Sequence, residues 1–245
     1  MTSLRSRFFQ ADFDEKTGKW SGLTAIRWNA APILGKGAGF DLEVNGQSFW
    51  GKRPRKVNSF RYFAEGRGGA FILEQDGLSL THSIELDAAL PVIYQSVLIK
   101  ANQGPDRQIN ALSYTLPAFI VGEAADCLIH EPGTDFQAGI PYAKATVRPR
   151  QPAAAAPPLD PAPSFGLLAI ENRVQKRVAS CWLQVELAPT FPIINGQDGV
   201  VNVSLRHSLN ATLQAGGTVI SQGFCLLLTD GTLDEHLAQF RRVAY

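Results

Sequence analysis

Hydrophobic and polar positions alternate along residues 78–116 in the manner of long β-strands. Residues 78–87 place Leu and Ile between Ser, Thr, Glu and Asp, which is the period-2 pattern of a strand with one solvent-facing side. Residues 92–99 are apolar at both alternating sets of positions, so we expect a strand that is covered on both faces. Turn residues at 102–106 precede a third strand over 109–116. Three such strands predict a large antiparallel sheet, and a second sheet should pack against it.

Tight turns predict hairpins elsewhere in the chain. Asn45-Gly46 and Asp76-Gly77 favour type I′ turns, because both central residues of that turn need positive φ. Further strands are expected at residues 8–13, 20–28, 165–171, 178–187, 200–207 and 218–228. The pattern therefore predicts an all-β, antiparallel, two-sheet fold.

The C-terminal stretch is the one that predicts a helix. Thr232 and Glu235 form a capping box, and Leu233, Leu237 and Phe240 then fall on one helical face. A chain whose helix begins so close to its last residue leads us to expect a missing continuation, namely a C-terminal catalytic domain.

The domain organisation follows from length and from one proline-rich segment. The chain has 245 residues, which suits a single all-β domain spanning residues 1–245. Residues 148–164 contain many prolines and alanines, and we predict an extended surface loop there. It is not a domain boundary, because strands of the same kind resume after it.

Charge and cysteine usage narrow the possible partners. The 23 basic and 22 acidic residues nearly balance, which argues against nucleic acid or a membrane surface as a partner. The three cysteines are far apart and lie in apolar runs, so we expect buried free thiols in a reducing compartment. The sequence shows no apolar core of signal-peptide length and no membrane span, which predicts a cytoplasmic protein.

The candidate phosphate-binding and metal-binding motifs lack the geometry that these functions need, and we expect no cofactor. The glycine-rich residues 35–39 precede a strand rather than a helix, so no helix N-terminus faces a phosphate. Pro132 after His130-Glu131 prevents the helical zinc-binding geometry. The histidines are scattered singly, and we interpret them as structural. His82 lies in the apolar register of its strand and is the candidate for a ligand contact on a concave face.

The segment from Trp50 to Arg67 is the candidate contact surface. It is basic, aromatic and bounded by glycines, and we interpret it as a loop. Trp50 ends a hairpin and could be exposed, whereas Trp28 and Trp182 favour the sandwich core. An aromatic ring can stack on the C–H face of a sugar while polar groups set its orientation. The candidates for carbohydrate or partner binding are Trp50, Lys52, Arg53, Arg61, Tyr62 and His82.

Three stretches carry a resemblance to a known family. The sequence NGQSFWGKR (45–53), the run at 78–114 and SQGFCLLLTDGTLDEHLAQFRRVAY (221–245) resemble the N-terminal domain of glycoside hydrolase family 36, the α-galactosidase and raffinose-synthase group. The resemblance implies a galactose-mutarotase-like β-supersandwich. It also implies that the catalytic aspartates lie on a downstream barrel, so no catalytic residue is carried over. Family members lend an aromatic loop to a sugar site, and Trp50, Lys52 and Arg53 match that loop.

The leading interpretation is a non-catalytic N-terminal accessory domain of a carbohydrate-active enzyme, with carbohydrate and either a downstream catalytic domain or a second copy as partners. The alternative is a stand-alone carbohydrate-binding or mutarotase-like sugar epimerase. That chemistry needs an acid and a base, and His82 and Glu85 are separated by an odd number of residues, which puts them on opposite faces of a strand. A purely structural assembly domain is the third possibility.

Overall fold

The described part of the chain folds mainly into antiparallel strands. The computed structural model describes residues 1–50, 56–132, 136–147, 167–184, 192–197, 199–221 and 223–244. The strands are β1 (Thr2–Arg5), β2 (Phe9–Phe13), β3 (Trp20–Ala25), β4 (Ala31–Leu34), β5 (Gly39–Val44), β6 (Gln47–Ser48), β7 (Val57–Phe63), β8 (Gly68–Gln75), β9 (Leu78–Leu86), β10 (Val92–Ala101), β11 (Arg107–Leu116), β12 (Cys127–His130), β13 (Ile140–Pro141), β14 (Leu168–Asn172), β15 (Arg177–Leu183), β16 (Pro192–Gln197), β17 (Val200–Leu213), β18 (Thr218–Ile220) and β19 (Phe224–Asp230). The α-helices are α1 (Tyr142–Ala145) and α2 (Leu233–Ala244), and short 3₁₀ turns lie at Ile26–Trp28, Ala64–Gly66 and Ala124–Asp126.

Three sheets are formed by the described residues. A ten-stranded sheet runs in the order β13-β12-β14-β15-β19-β10-β9-β8-β7, with β18 paired to β10. A five-stranded sheet has the order β16-β17-β11-β5-β6, and a four-stranded sheet is β1-β2-β3-β4.

The core lies between the ten-stranded sheet and the two smaller ones. Phe71 on β8 contacts Phe13 of the four-stranded sheet at 5.2 Å between ring centroids. Phe224 on β19 stacks on Tyr114 of the five-stranded sheet at 5.1 Å. Because all four rings are buried in one continuous hydrophobic cluster, the expected all-β sandwich fold is confirmed.

The third strand of the central run leaves the sheet that we predicted for it. β9 and β10 form an antiparallel hairpin, but β11 pairs with β5 and β17 in the five-stranded sheet. The other edge of β10 is taken by β19 and β18, so β11 has no place beside it. The chain therefore crosses from one layer of the sandwich to the other at residues 102–106.

Both predicted hairpin turns have the expected backbone. Asn45 and Gly46 have φ values of 51° and 74°, and Asp76 and Gly77 have 49° and 76°. Positive φ at both central residues is the condition for a type I′ turn, whose twist matches that of the flanking strands.

The segment that we interpreted as a loop contains a strand. Residues 51–55 lie outside the described part of the chain, but Val57–Phe63 pairs with β8 as the last strand of the ten-stranded sheet. Exposed and polar side chains on both faces hide the strand pattern in the sequence, because an edge strand has little to cover it. The predicted loop at 148–164 also lies outside the described residues.

The C-terminal helix begins with the capping box that its sequence predicts. Glu235 accepts a hydrogen bond from the backbone N–H of Thr232 at 2.7 Å, and the Thr232 hydroxyl accepts one from the N–H of Glu235 at 3.4 Å. The bond from the Thr232 backbone N–H to the carboxylate, together with one from the Thr232 hydroxyl, lowers the pKa of Glu235. Leu233 and Phe240 are buried as predicted, so α2 packs its apolar face on the ten-stranded sheet.

The cysteines are free and buried, as expected. Burial raises the pKa of Cys127 to about 11 and raises those of Cys181 and Cys225 further, so these thiols are poor nucleophiles at neutral pH. Within the described ranges, neither helix has the length and apolar character needed to cross a bilayer.

Candidate functional site

Trp50 lies at the end of the β5–β6 hairpin and is partly buried. Its ring meets Phe49 edge-on at 4.9 Å and Phe40 at 6.4 Å. These contacts place Trp50 at the margin of the core rather than on an open surface. Lys52 and Arg53, which follow it in the matched motif, lie outside the described residues.

His82 is fully buried on the face of β9 that points into the sandwich. Its Nε2 lies 3.0 Å from Oε1 of Gln95 on the neighbouring strand, so Nε2 is the donor of that bond. Phe40 meets the imidazole edge-on at 4.9 Å. Trp50 and His82 thus contact the same Phe40 ring, which makes them neighbours through the core. The ligand contact expected of His82 stays a prediction.

Arg61 and Tyr62 are adjacent on the edge strand β7 and point to opposite faces. Arg61 is exposed opposite Ala70. Tyr62 is 57% exposed opposite Gly69, and its ring meets Phe60 edge-on at 4.7 Å. A single flat ligand cannot stack on Tyr62 and pair with Arg61 from one side of the sheet. The predicted site residues are therefore divided between the core margin and the sheet edge.

A cleft of about 270 Å³ opens at the end of β19, away from those residues. It is lined by residues 7–9, by Ala25, Arg27 and Trp28, by residues 89–91 and 228–230, and by Gln239 of α2. We call it the arginine cleft, because Arg7 and Arg27 are its exposed cations. Trp28 is buried in its wall as expected for the core, and its indole N–H donates to Oδ1 of Asp230 at 2.6 Å.

A histidine and a carboxylate are paired on the outer face of the ten-stranded sheet. Nε2 of His130 lies 3.2 Å from Oε2 of Glu171, which also accepts from Arg173 at 3.0 Å. Nδ1 of His130 lies 2.5 Å from the carbonyl of Phe136 and donates to it. Glu171 is the buried carboxylate among the described residues. The pair has the residue types of an acid–base couple, but Phe136 covers it and does not leave it open to a substrate.

His236 fixes α2 to the same face of the sheet. Its Nδ1 lies 2.7 Å from the Thr229 hydroxyl, and its Nε2 lies 2.7 Å from the Ser180 hydroxyl. A neutral imidazole donates one of these bonds and accepts the other. Burial, with a smaller effect of nearby His130, lowers the pKa of His236 to about 3, so the ring is neutral at physiological pH. The Ser180–His236–Thr229 group is a buried clamp between helix and sheet.

We looked for metal-binding clusters in the part of the chain that the structure describes. No group of three or more His, Cys, Asp or Glu side chains there is arranged to hold an ion.

Comparisons with solved structures agree on the fold. A galactose mutarotase-like protein from Lactobacillus casei matches 94% of this chain and 100% of its own, with 10% identity and a TM-score of 0.60. The α-N-acetylgalactosaminidase NagBb from Bifidobacterium bifidum matches 99% of this chain but 38% of its own, with 13% identity and a TM-score of 0.63. A variant of the GH36 α-galactosidase AgaA from Geobacillus stearothermophilus matches 94% and 41%, with 12% identity and a TM-score of 0.55.

These likenesses establish a galactose-mutarotase-like fold and bear out the resemblance to the domain found in GH36 enzymes. At the level of sequence, neither a protein-family model nor a curated protein gives a significant match.

Sequence reasoning missed the arginine cleft and the clamp. Trp28 and Asp230 are 202 residues apart, and no local pattern joins them. We interpreted His236 as one of the scattered structural histidines and did not expect its burial between helix and sheet. The signal was present, because His236 falls between Leu233 and Leu237 in the apolar stripe of the helix.

Proposed function

We propose that this chain is a non-catalytic N-terminal accessory domain of a carbohydrate-active enzyme of the α-galactosidase type. The observation that carries the proposal is the match to NagBb, in which 99% of this chain corresponds to 38% of a larger glycosidase. The chain thus has the extent of one domain of that enzyme. Its role would be to pack against a catalytic domain and to support the substrate site or an oligomer.

The packing of α2 on the ten-stranded sheet supports this role. The helix follows β19 after two residues and is held by Trp182, which meets Phe240 edge-on at 4.9 Å, and by the buried His236. Apolar burial together with a satisfied polar clamp makes the helix a rigid extension of the sheet. A domain that followed α2 would be held at a fixed angle to the sandwich.

The alternative is a stand-alone mutarotase-like sugar epimerase. It is favoured by the match to the Lactobacillus casei protein, which covers 94% of this chain and all of the other. His130 and Glu171 supply the one buried pair of suitable residue types in the described part of the chain. Anomerisation needs an acid and a base that reach the ring oxygen and the anomeric hydroxyl, so this pair would have to become uncovered.

Polarimetry on the purified chain separates the two functions. For an accessory domain we expect α-galactose to anomerise at the rate seen with the H130Q/E171Q double variant, and nitrophenyl α-galactosides to stay intact. Retaining hydrolysis needs two carboxyl groups about 5 Å apart, and the resemblance places that pair on another domain. Anomerisation well above the double variant's rate would establish the epimerase instead. The genomic reading frame should continue past codon 245 into a catalytic domain.

A further inference from the structure

The arginine cleft is formed where five parts of the chain meet. The β1–β2 turn supplies Arg7, and the 3₁₀ turn after β3 supplies Arg27. The turn before β10 supplies Leu90, and the end of β19 supplies Asp230. Gln239 of the clamped helix closes one side. Strand ends and a docked helix hold these groups, so the cleft is built into the sandwich.

Both cations are oriented by the same aromatic ring. The Arg7 guanidinium lies 4.5 Å from the centroid of Phe8 and that of Arg27 lies 4.6 Å from it. Stacking fixes the plane of a guanidinium while its N–H edge stays available for hydrogen bonds. Arg7 also donates to the carbonyl of Ala89 at 2.5 Å. Neither arginine forms an ion pair with a carboxylate among the described residues, so each guanidinium keeps N–H groups that can bind an anionic oxygen pair.

Asp230 places an acceptor in the same cleft. It is exposed, and its Oδ1 is held by the indole N–H of Trp28, while Oδ2 makes no hydrogen bond within the described residues. A carboxylate accepts hydrogen bonds from hydroxyl groups and repels a second anion. The ligand that satisfies both ends therefore carries one negative charge near the arginines and neutral hydroxyls near Asp230.

Size and the apolar wall restrict the ligand further. A volume of about 270 Å³ is just under the range of roughly 300–1,000 Å³ for drug-sized sites, so one small ring fits and a chain of rings does not. Leu90 is 36% exposed and lies beside Pro91 in the wall. This wall can cover the C–H face of a ring.

We propose that the arginine cleft binds a sugar acid, a single hexose-sized ring that carries one carboxylate. The carboxylate meets Arg7 and Arg27, a ring hydroxyl donates to Asp230, and the C–H face lies on Leu90. The carboxylate and the hydroxyls follow from the side chains of the cleft, whereas the choice of a sugar over another hydroxy acid rests on the proposed function.

Calorimetric titration with D-galacturonate and D-galactose tests the proposal, since the two probes differ in the carboxylate alone. Galacturonate should bind at least about tenfold more tightly than galactose, because the charge-assisted bonds are lost with the neutral sugar. In R7Q/R27Q that advantage should disappear. R241Q removes a charge from an exposed position outside the cleft and should keep it. Both arginines are exposed, and urea unfolding of each variant verifies the fold.

Three results would contradict the proposal: equal affinity for the two sugars, no binding of galacturonate at millimolar concentration, or full binding by the folded R7Q/R27Q variant. If gluconate, the open-chain hydroxy acid, binds as well as galacturonate, the sugar assignment is wrong. The accessory role is decided separately by polarimetry and by the reading frame, so either proposal can fail while the other stands.

Discussion

The outer face of the ten-stranded sheet has two halves that differ in what covers them. Under α2 the face carries Val92, Trp182, Cys225 and Leu227, all buried. Across β9 and the middle of β10, the same face carries a row of small polar residues. These are Ser79, Thr81, Ser83 and Ser96. The comparison shows that cover from a helix, rather than membership of the sheet, decides how apolar a strand face can be.

β10 passes from one half to the other. Val92 is buried beneath the helix side, whereas Leu98 on the same face is 36% exposed. Tyr94 lies between them and is partly buried, and this burial raises its pKa to about 12. We expected residues 92–99 to be covered on both sides along their length, and that expectation holds at the start of the strand only.

The largest expected change in the free energy of unfolding comes from a substitution on the half of the face that α2 covers. Trp182→Ala removes a buried ring that meets Phe240 of α2, and we expect a loss of about 3–5 kcal/mol in the free energy of unfolding. Urea unfolding followed by circular dichroism measures it. Thr81→Ala, on the uncovered half, is the matched control and should cost less than about 0.5 kcal/mol. Equal losses in the two variants would mean that cover does not separate the halves.

A smaller, pH-dependent effect should come from the clamp. The folded pKa of His236, about 3, is depressed below the ordinary value of 6.5. Its stabilisation is therefore complete above pH 6.5 and is lost as the pH falls towards 3, because the unfolded chain binds the proton first. His236→Gln can bond to both hydroxyls and does not titrate. We expect wild type to lose about 2–3 kcal/mol relative to this variant between pH 6.5 and 4.5.

Urea unfolding of both proteins at the two pH values gives that difference directly. The two proteins differ at this residue alone, so the change in their difference with pH reports on His236. A difference between the two proteins that stays constant over this range would show that His236 is not held neutral by burial.

The features that the sequence predicts well are those set within a few residues. The turns at Asn45-Gly46 and Asp76-Gly77 and the capping box at Thr232 depend on neighbours, and each is present. The crossing of β11 depends on β19, which arrives more than 100 residues later to occupy the edge of β10. The arginine cleft likewise joins segments from both ends of the chain. The local sequence pattern therefore predicts neither the crossing of β11 nor the arginine cleft.

The smallest effect should be at Ile220, an apolar side chain beside the uncovered half. Ile220 lies on β18 opposite Leu98 and is 65% exposed. If solvent alone meets this half in the purified chain, Ile220→Ala removes little buried area and should change the free energy of unfolding by at most about 0.5 kcal/mol. Sedimentation of wild type and variant should then agree as well. A loss of about 2 kcal/mol in the variant, together with a lower sedimentation coefficient, would mean that a second copy of the chain covers Ile220. The two halves of the face would then differ in when they are covered. The half under α2 would be covered on folding, and the other half on assembly.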